Sequence, residues 1–212
     1  MSLDAIAESG LVAVIRAPSA DAAVAAAEAV AQAGVRALEI TFTTPGAAAA
    51  IARLADRGLL VGAGTVVEPR QAQEAHASGA RFLVSPGVDD DVLGAMRATG
   101  LPTLAGVFTA SEVMRARRLG ASAVKLFPAG HGGVGLLRAL REPFPDLRVV
   151  PTGGVTPENL GDWLAAGALA VGAGGAMCPQ DAIREGRFEE LRERAAGFVR
   201  ALETARADSL VS

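Results

Sequence analysis

The chain has 212 residues, half of them hydrophobic and a fifth charged, with a formal net charge of -3. This length fits one domain or two small ones, and the composition excludes an intrinsically disordered chain. The small charge, the absence of an Arg-rich block and the scarcity of aromatic residues argue against a nucleic-acid binder. The N-terminus lacks a signal-peptide pattern, and no charge-free run reaches membrane-spanning length. We therefore expect a cytoplasmic protein that binds neither nucleic acid nor membrane.

The residues that most often hold metals or form disulfides are few. The single cysteine, Cys178, excludes an intrachain disulfide and a multi-cysteine metal site, so we expect a small buried apolar side chain. The two histidines, His76 and His131, are not at metal-ligand spacing, and we expect His131 in the loop after the sixth strand. No metal and no cofactor are predicted.

Short runs rich in Val, Leu and Ile recur at roughly two-dozen-residue intervals, each followed by an Ala-, Glu- and Arg-rich stretch with helical spacing. Eight strands are predicted, at 11–16, 35–41, 59–62, 81–85, 102–105, 121–127, 148–152 and 168–171. Capping residues mark the starts of several intervening helices, among them Ser19, Asp89 and Thr109. Glycines that fit helix C-caps precede the next strand at Gly34, Gly58, Gly79, Gly100, Gly120 and Gly167.

Eight alternating strands and helices, with strands apolar enough to be covered on both faces, predict a closed parallel (β/α)8 barrel. We expect one domain over 1–212, with the barrel at about 11–178. A helical extension at about 179–206 would then pack outside the barrel. An open doubly wound sheet is the alternative, but the segment after the first strand, 16–19, contains no glycine fingerprint.

The segment AVKLFP (123–128) places a lysine in an apolar strand. Lys125 is the only lysine in the chain, and every other strongly basic residue is arginine. Strand alternation directs Val124 and Leu126 towards the helices and Lys125 into the barrel. Only a lysine can lose its proton when desolvated and attack a ketone to form a Schiff base. The segment therefore indicates amine chemistry.

The second strand carries a carboxylate on the same inward face. Its alternation places Val35, Ala37, Glu39 and Thr41 together inside the barrel. An inward Glu39 and an inward Lys125 should lie near each other, because isolated buried charges are costly. One interpretation is a structural ion pair; the other is a catalytic acid/base beside a nucleophilic amine.

Other strand ends carry residues that could line a site, since chemistry gathers at the C-terminal ends of barrel strands. Thr65 offers a hydroxyl, Pro86 a rigid wall and Arg16 a planar fork suited to a carboxylate. The glycines after the seventh and eighth strands occupy the usual barrel position for a phosphate held by backbone N–H groups. These two segments contain Thr152, Gly153, Gly154, Gly174 and Gly175.

At these positions the sequence resembles the 2-keto-3-deoxy-6-phosphogluconate (KDPG) aldolases, class I Schiff-base lyases with a (β/α)8 barrel. The resemblance runs from about residue 11 to residue 174. It is carried by VAVIRA, ALEITFTTPGA, VGAGTV, FLVSPG, AGVFTASE, AVKLFPA, PFPDLRVVPTGGVTPENL and AVGAGGA.

The resemblance implies that Lys125 forms the Schiff base and that Glu39 is the general acid/base. It also implies that Thr65, Pro86 and Phe127 line a pyruvyl pocket and that the glycine loops, with Thr152, bind the rest of a phosphorylated keto-sugar acid. The implied products are pyruvate and D-glyceraldehyde 3-phosphate. The resemblance further implies a homotrimer that uses no metal.

Two departures from the family pattern affect substrate binding. In many members the position of Thr43 is an arginine, and that arginine contacts the substrate carboxylate. Here carboxylate binding is assigned to Arg16. Many members also have a serine at the position of Gly175, so one hydroxyl to the phosphate is missing. The C4 epimer of KDPG and 4-hydroxy-2-oxoglutarate therefore stay open as substrates. A phosphate-binding isomerase or synthase and a noncatalytic sugar-phosphate-binding barrel are alternatives from other classes.

Overall fold

A computed structural model describes residues 3–211, with side chains for residues 3–208. Eight strands form one parallel sheet in which consecutive strands from β1 to β7 pair with each other and β1 also pairs with β8. A bridge between Thr152 and Gly172 joins the remaining two edges. The predicted barrel is confirmed. Its strands are β1 (Leu11–Ile15), β2 (Ala37–Thr41), β3 (Leu60–Gly64), β4 (Leu83–Val84), β5 (Thr103–Val107), β6 (Ala123–Leu126), β7 (Val149–Pro151) and β8 (Val171–Ala173).

Helices alternate with the strands, and their ends follow local sequence signals. The side chains of Ser19, Asp89 and Thr109 each accept hydrogen bonds from backbone N–H groups in the first turn of the following helix. The six predicted C-terminal glycines all have positive φ, the conformation that favours glycine. The helices are α1 (Asp4–Ser9), α2 (Ala20–Gln32), α3 (Ala47–Ala55), α4 (Pro69–Ala77), α5 (Asp90–Ala98), α6 (Ala110–Arg118), α7 (Ala129–Arg141), α8 (Leu160–Ala165), α9 (Gln180–Arg184) and α10 (Phe188–Val211).

The alternation of side chains along each strand separates two apolar regions. Outward residues pack with the helices in the larger region; Leu38, Ile40, Val124 and Leu126 lie there, as predicted. Inward residues form a smaller cluster inside the barrel, which includes Val12, Ala37, Phe82, Val84, Leu104, Ala123, Val150 and Ala170. The strands are therefore covered on both faces, which explains their nearly continuous apolar sequences.

The N-terminal helix α1 was not predicted. It contributes Leu3 and Ile6 to the inner cluster, so it closes the barrel at the N-terminal ends of the strands. Ile6 is only 2% exposed. A helix of six residues is too short for hydrophobic periodicity to reveal it, and its stability comes from this tertiary packing.

Several predicted boundaries and one predicted orientation were wrong. Strand β3 extends two residues further, to Gly64, because this glycine-rich segment pairs with β2 and is not a loop. Strands β4 and β8 are shorter or shifted relative to 81–85 and 168–171. Val35 packs in the outer region, not inside the barrel, because β2 begins only at Ala37 and the alternation does not extend back to it. His131 lies in the first turn of α7, not in a loop.

At the C-terminal end, α9 is followed by the long helix α10, which packs against α2 and α8 on the outside of the barrel. Its buried face includes Leu191, Ala195, Phe198 and Leu202. No helix in the described part of the chain is both long enough and apolar enough to cross a membrane.

Candidate active site

A cavity of about 410 Å³ opens at the C-terminal ends of the barrel strands. Ten of the eleven predicted site residues line it: Arg16, Thr65, Pro86, Lys125, Phe127, Thr152, Gly153, Gly154, Gly174 and Gly175. The eleventh, Glu39, contacts Lys125 from the neighbouring interior. The structure thus brings together residues that lie on or directly after seven different strands.

Lys125 and Glu39 form the polar centre of the site. Lys125 Nζ donates a hydrogen bond to Glu39 Oε1 at 3.2 Å, and the two side chains are 8% and 4% exposed. The same nitrogen lies 5.5 Å from the centre of the Phe127 ring. The Glu39 carboxylate and the Phe127 ring are both close enough to attract the ammonium group and to hold it at the cavity wall. The single lysine is therefore buried, paired and directed into a cavity large enough for a small ligand.

Two neighbouring strand ends shape the wall near the amine. Thr65 has a φ of 53°, which is unusual for a β-branched residue. The residue lines the cavity, and backbone strain is often found at functional sites. Gly106 on β5 makes room for the β4 loop, because a Cβ at that position would overlap the backbone of Pro86. Thr65 and Pro86 thus hold fixed positions beside Lys125.

The glycine segments after β7 and β8 present unpaired donors to the cavity. Among the described residues, the backbone N–H groups of Gly153, Gly154 and Gly175 donate no hydrogen bond. Gly153 and Gly154 have φ values of 85° and 81°, and a Cβ on Gly154 would lie 2.7 Å from Gly130 Cα. Only glycine satisfies both conditions at position 154. Adjacent free N–H groups of this kind form a site that suits an anion such as phosphate.

Arg16 lies at the rim, exposed to solvent, and lines both the main cavity and a smaller one of about 230 Å³. Thr43 lines only the smaller cavity, and its hydroxyl lies 2.9 Å from that of Thr41. Arg16 is therefore the guanidinium group that reaches the main cavity, where Thr43 does not.

The main cavity also includes residues that the sequence analysis did not assign to a site: Val14, Val155, Thr156, Ala176, Cys178 and Gln180. Cys178 is buried as predicted, and burial raises the pKa of its thiol to about 12. The thiol is therefore neutral near pH 7 and is a poor nucleophile. Gln180 follows Pro179 at the start of α9; this helix-start signal predicts the helix but does not place the residue at the cavity.

His131 and the only tryptophan of the chain, Trp163, lie outside the cavity. His131 is exposed on α7 and does not line the cavity. Within the described residues, no group of three or more His, Cys, Asp or Glu side chains is placed to hold a metal ion. Trp163 is buried on α8 against the outer apolar region.

Known proteins with similar sequences and structures share this architecture. A family model described as "Aldolase: KDPG and KHG aldolase" matches residues 3–193. A 2-dehydro-3-deoxy-phosphogluconate aldolase of Pseudomonas aeruginosa is 42% identical over 168 residues, which cover 78% of this chain and 76% of that protein. A 2-dehydro-3-deoxy-6-phosphogalactonate aldolase of Escherichia coli (strain K12) is 34% identical over 200 residues, which cover 92% and 95%.

Among solved structures, the KDPG aldolase of Legionella pneumophila superposes with a TM-score of 0.84 at 33% identity, covering 92% of this chain and 96% of that one. That structure holds pyruvate captured at low pH as a covalent carbinolamine intermediate. The family model spans most of the chain, and the relatives match it over most of their own length. This chain therefore belongs to the KDPG and KHG aldolase family and is an aldolase, a carbon–carbon lyase.

Proposed function

We propose that this protein is a class I aldolase that cleaves KDPG to pyruvate and D-glyceraldehyde 3-phosphate through a Schiff base on Lys125. The observation that carries the proposal is the buried pair in which the only lysine, which lines the cavity, contacts Glu39 at 3.2 Å. A buried ion pair seldom increases stability by itself, so a chemical role accounts better for its presence.

The proposed reaction begins with attack of Lys125 Nζ on the C2 ketone of the substrate. The carbinolamine loses water to give a protonated imine, and Glu39 supplies and accepts the protons of these steps. Glu39 then removes the C4 hydroxyl proton, and the electrons of the C3–C4 bond move to the imine nitrogen. The aldehyde leaves, the resulting enamine takes a proton at C3, and water hydrolyses the imine to release pyruvate and the free amine.

The cavity walls fit the ends of such a substrate. The carboxylate would be bound by the guanidinium group of Arg16, which provides a planar fork of donors. Thr65, Pro86 and Phe127 would enclose the pyruvyl part. The free N–H groups of Gly153, Gly154 and Gly175, with Thr152 and Gly174 beside them, would receive the phosphate and the adjacent carbons.

KDPG is proposed as the substrate ahead of its C4 epimer and 4-hydroxy-2-oxoglutarate. The KDPG-cleaving relative from P. aeruginosa is 42% identical, whereas the phosphogalactonate aldolase of E. coli is 34% identical. A coupled assay of pyruvate release, run with all three substrates in parallel, tests this order. A higher kcat/KM for the epimer or for 4-hydroxy-2-oxoglutarate would replace KDPG within the same mechanism.

The Schiff base itself is tested by incubation with pyruvate and borohydride. The reduced adduct should appear on the peptide that carries Lys125, and the assignment is simple because no other lysine exists in the chain. An unmodified peptide would contradict the imine mechanism and favour a phosphate-binding isomerase or synthase. Ligand binding without turnover, unaffected by Glu39→Gln, would favour a noncatalytic barrel.

A homotrimer in the cytoplasm is part of the same proposal, and it rests on the family resemblance. Two large apolar side chains outside the cavity, Val67 and Met114, are 50% and 61% exposed and would be natural candidates for burial between subunits. Light scattering should give three times the chain mass of 21.4 kDa. A mass equal to one chain would contradict the trimer.

A further inference from the structure

Strand β3 faces the barrel interior with two glycines, Gly62 and Gly64, and neither is required by the backbone. Neither has a positive φ, in contrast to the glycines at the helix ends. Glycine inside a strand is unfavourable because it loses more conformational entropy on folding than other residues do. The reason for these two glycines must therefore lie in the space beside them.

The space beside Gly64 is occupied by the side chain of Glu39. A Cβ built on Gly64 would overlap Glu39 Oε1 and would lie 2.5 Å from both Cδ and Cγ of that residue. These three atoms are the nearest neighbours of the added carbon. Since real Cβ atoms essentially never approach so closely, any side chain at position 64 must displace the carboxylate.

The displacement would affect the contact on which the proposed chemistry depends. Glu39 Oε1, the atom that would be overlapped, is also the atom that accepts the hydrogen bond from Lys125 Nζ at 3.2 Å. Glu39 is 3% exposed, so a displaced carboxylate would have to take a different position among the buried groups around it. Small displacements of a catalytic group reduce rates strongly, because proton transfer requires hydrogen-bond distance.

Gly62 provides an internal comparison on the same face of the same strand. A Cβ there would overlap the ring of Phe82, which belongs to the inner apolar cluster, and its three nearest neighbours are all atoms of that ring. The two glycines therefore make room for different things. Gly62 makes room for core packing, and Gly64 makes room for the carboxylate.

We infer that Gly64 is a positioning residue for the general acid/base, because its missing side chain provides the space in which the Glu39 carboxylate reaches Lys125. This inference rests on the proposed function for its catalytic consequence. Its structural part, the coupling between positions 64 and 39, is measurable without any activity.

The catalytic consequence is tested by exchange of the pyruvate methyl protons in D2O, followed by NMR, which needs both the imine and a base. Gly64→Ala should reduce the exchange rate by about 10- to 1,000-fold, because displacing the carboxylate removes part of the roughly 10²- to 10⁴-fold that general acid–base catalysis contributes. In a Glu39→Gln background the same change should alter the residual rate less than about twofold, because the group that Gly64 positions is already lost.

Gly62→Ala is the matched control, because it adds the same methyl group on the same strand face. It should lower Tm while leaving the exchange rate of the folded protein close to that of the wild type. Equal rate losses for Gly64→Ala in the wild-type and Glu39→Gln backgrounds would overturn the inference. An unchanged rate in Gly64→Ala, or an equal loss in Gly62→Ala, would overturn it too.

Thermal unfolding provides the second readout, which stays valid if Gly64→Ala folds poorly or if the protein forms no imine. Gly64→Ala should lower Tm in the wild type but should not lower it in a Glu39→Ala background. There the methyl group has space, and the change from glycine stiffens the unfolded chain. An equal fall in Tm in both backgrounds would show that another group needs the glycine. Absence of a borohydride adduct in the wild type would instead reject the proposed function and leave this coupling intact.

Discussion

Lys125 is held by very few polar contacts. Among the described residues, its nitrogen contacts one carboxylate, that of Glu39, and one aromatic ring, that of Phe127, and its side chain is almost fully buried. Removing two charges from water costs several kcal/mol each, and their attraction repays this cost only in part. The pair therefore adds little to the stability of the fold, which agrees with the reactive role proposed for the amine.

Replacement of Lys125 by arginine separates charge from nucleophilicity. We expect Lys125→Arg to retain the fold and the positive charge but to form no pyruvate adduct and to cleave no substrate, because a guanidinium group does not form the imine. Circular dichroism measures the fold, borohydride trapping measures the adduct, and pyruvate release measures cleavage. Retained cleavage would contradict the Schiff-base mechanism.

A second variant shows whether the position of the amine matters. Adding Arg118→Lys to Lys125→Arg returns one lysine to the chain, but on the exposed surface of α6. This double variant should also give no adduct. An adduct on the surface lysine would show that trapping does not report the cavity.

Arg16 is the guanidinium group expected to bind the substrate carboxylate. Arg16→Ala should raise KM for the keto acid by about 10- to 100-fold, which corresponds to the loss of a hydrogen bond to a charged group. It should leave Tm nearly unchanged, since Arg16 is exposed. Arg118→Ala is the control, with unchanged KM. An unchanged KM in Arg16→Ala would assign the carboxylate to another residue.

At the scale of single elements, structure was predicted best from the sequence where a local signal, such as a helix cap, is compatible with one backbone conformation. Each of the six C-terminal glycines is in the left-handed conformation, and the N-caps Ser19, Asp89 and Thr109 all accept their expected hydrogen bonds. Together with the recurring apolar runs, these helix-end signals predicted the order and number of the barrel elements. The alternation of side chains in β2 and β6 correctly predicted that Glu39 and Lys125 point inward.

The prediction failed where tertiary contacts outweigh local propensity. The prediction ended the third strand at residue 62, yet Ala63 and Gly64 continue it, because neighbouring strands pair with these residues and the glycines admit side chains from elsewhere. Residues of other segments, such as Phe82 directly before the neighbouring strand β4, decide this, and a local pattern does not contain them. Gln180 was missed for a similar reason. It lines the cavity because of the path that the chain takes after β8, and the local sequence does not predict that path.

Helix α6 offers a test of one element through its capping box. Burial acts to raise the pKa of Glu112, but hydrogen bonds from the Phe108 and Thr109 N–H groups and from the Thr109 hydroxyl outweigh it. The pKa therefore lies below its ordinary value of 4.5. A lowered pKa stabilises the folded state above the unfolded pKa, and this stabilisation is lost as the pH falls through the folded pKa.

We therefore expect Glu112→Gln to lower the free energy of unfolding at pH 7 and to have a smaller effect below about pH 4, where the unfolded carboxyl is protonated. Urea titrations at several pH values measure the difference. Thr109→Ala, which removes the reciprocal cap, should cost about 1 kcal/mol. A penalty for Glu112→Gln that does not change with pH would show that the charge makes no contribution.

At the scale of the whole molecule, the barrel separates stability from chemistry along its axis. The amine, the carboxylate and the free N–H groups lie at the C-terminal ends of the strands, whereas α1 closes the opposite end with Leu3 and Ile6. Between them, inward apolar residues such as Phe82 and Leu104 fill the interior. This division is usual for such barrels and lets the polar residues of the site vary without loss of the core.

Ile6 tests this separation, because it is buried at the end remote from the cavity. Ile6→Ala should lower the free energy of unfolding by about 2–5 kcal/mol, as other large-to-small core substitutions do, and Ile6→Val by about 0.5–1.5 kcal/mol. Urea denaturation gives both values. Under conditions where each variant is folded, kcat and the pyruvate adduct should match those of the wild type, since no residue of α1 lines the main cavity. A loss of kcat that follows the loss of stability from the valine to the alanine variant would mean that the packing of α1 helps to set the positions of Lys125 and Glu39 across the inner cluster.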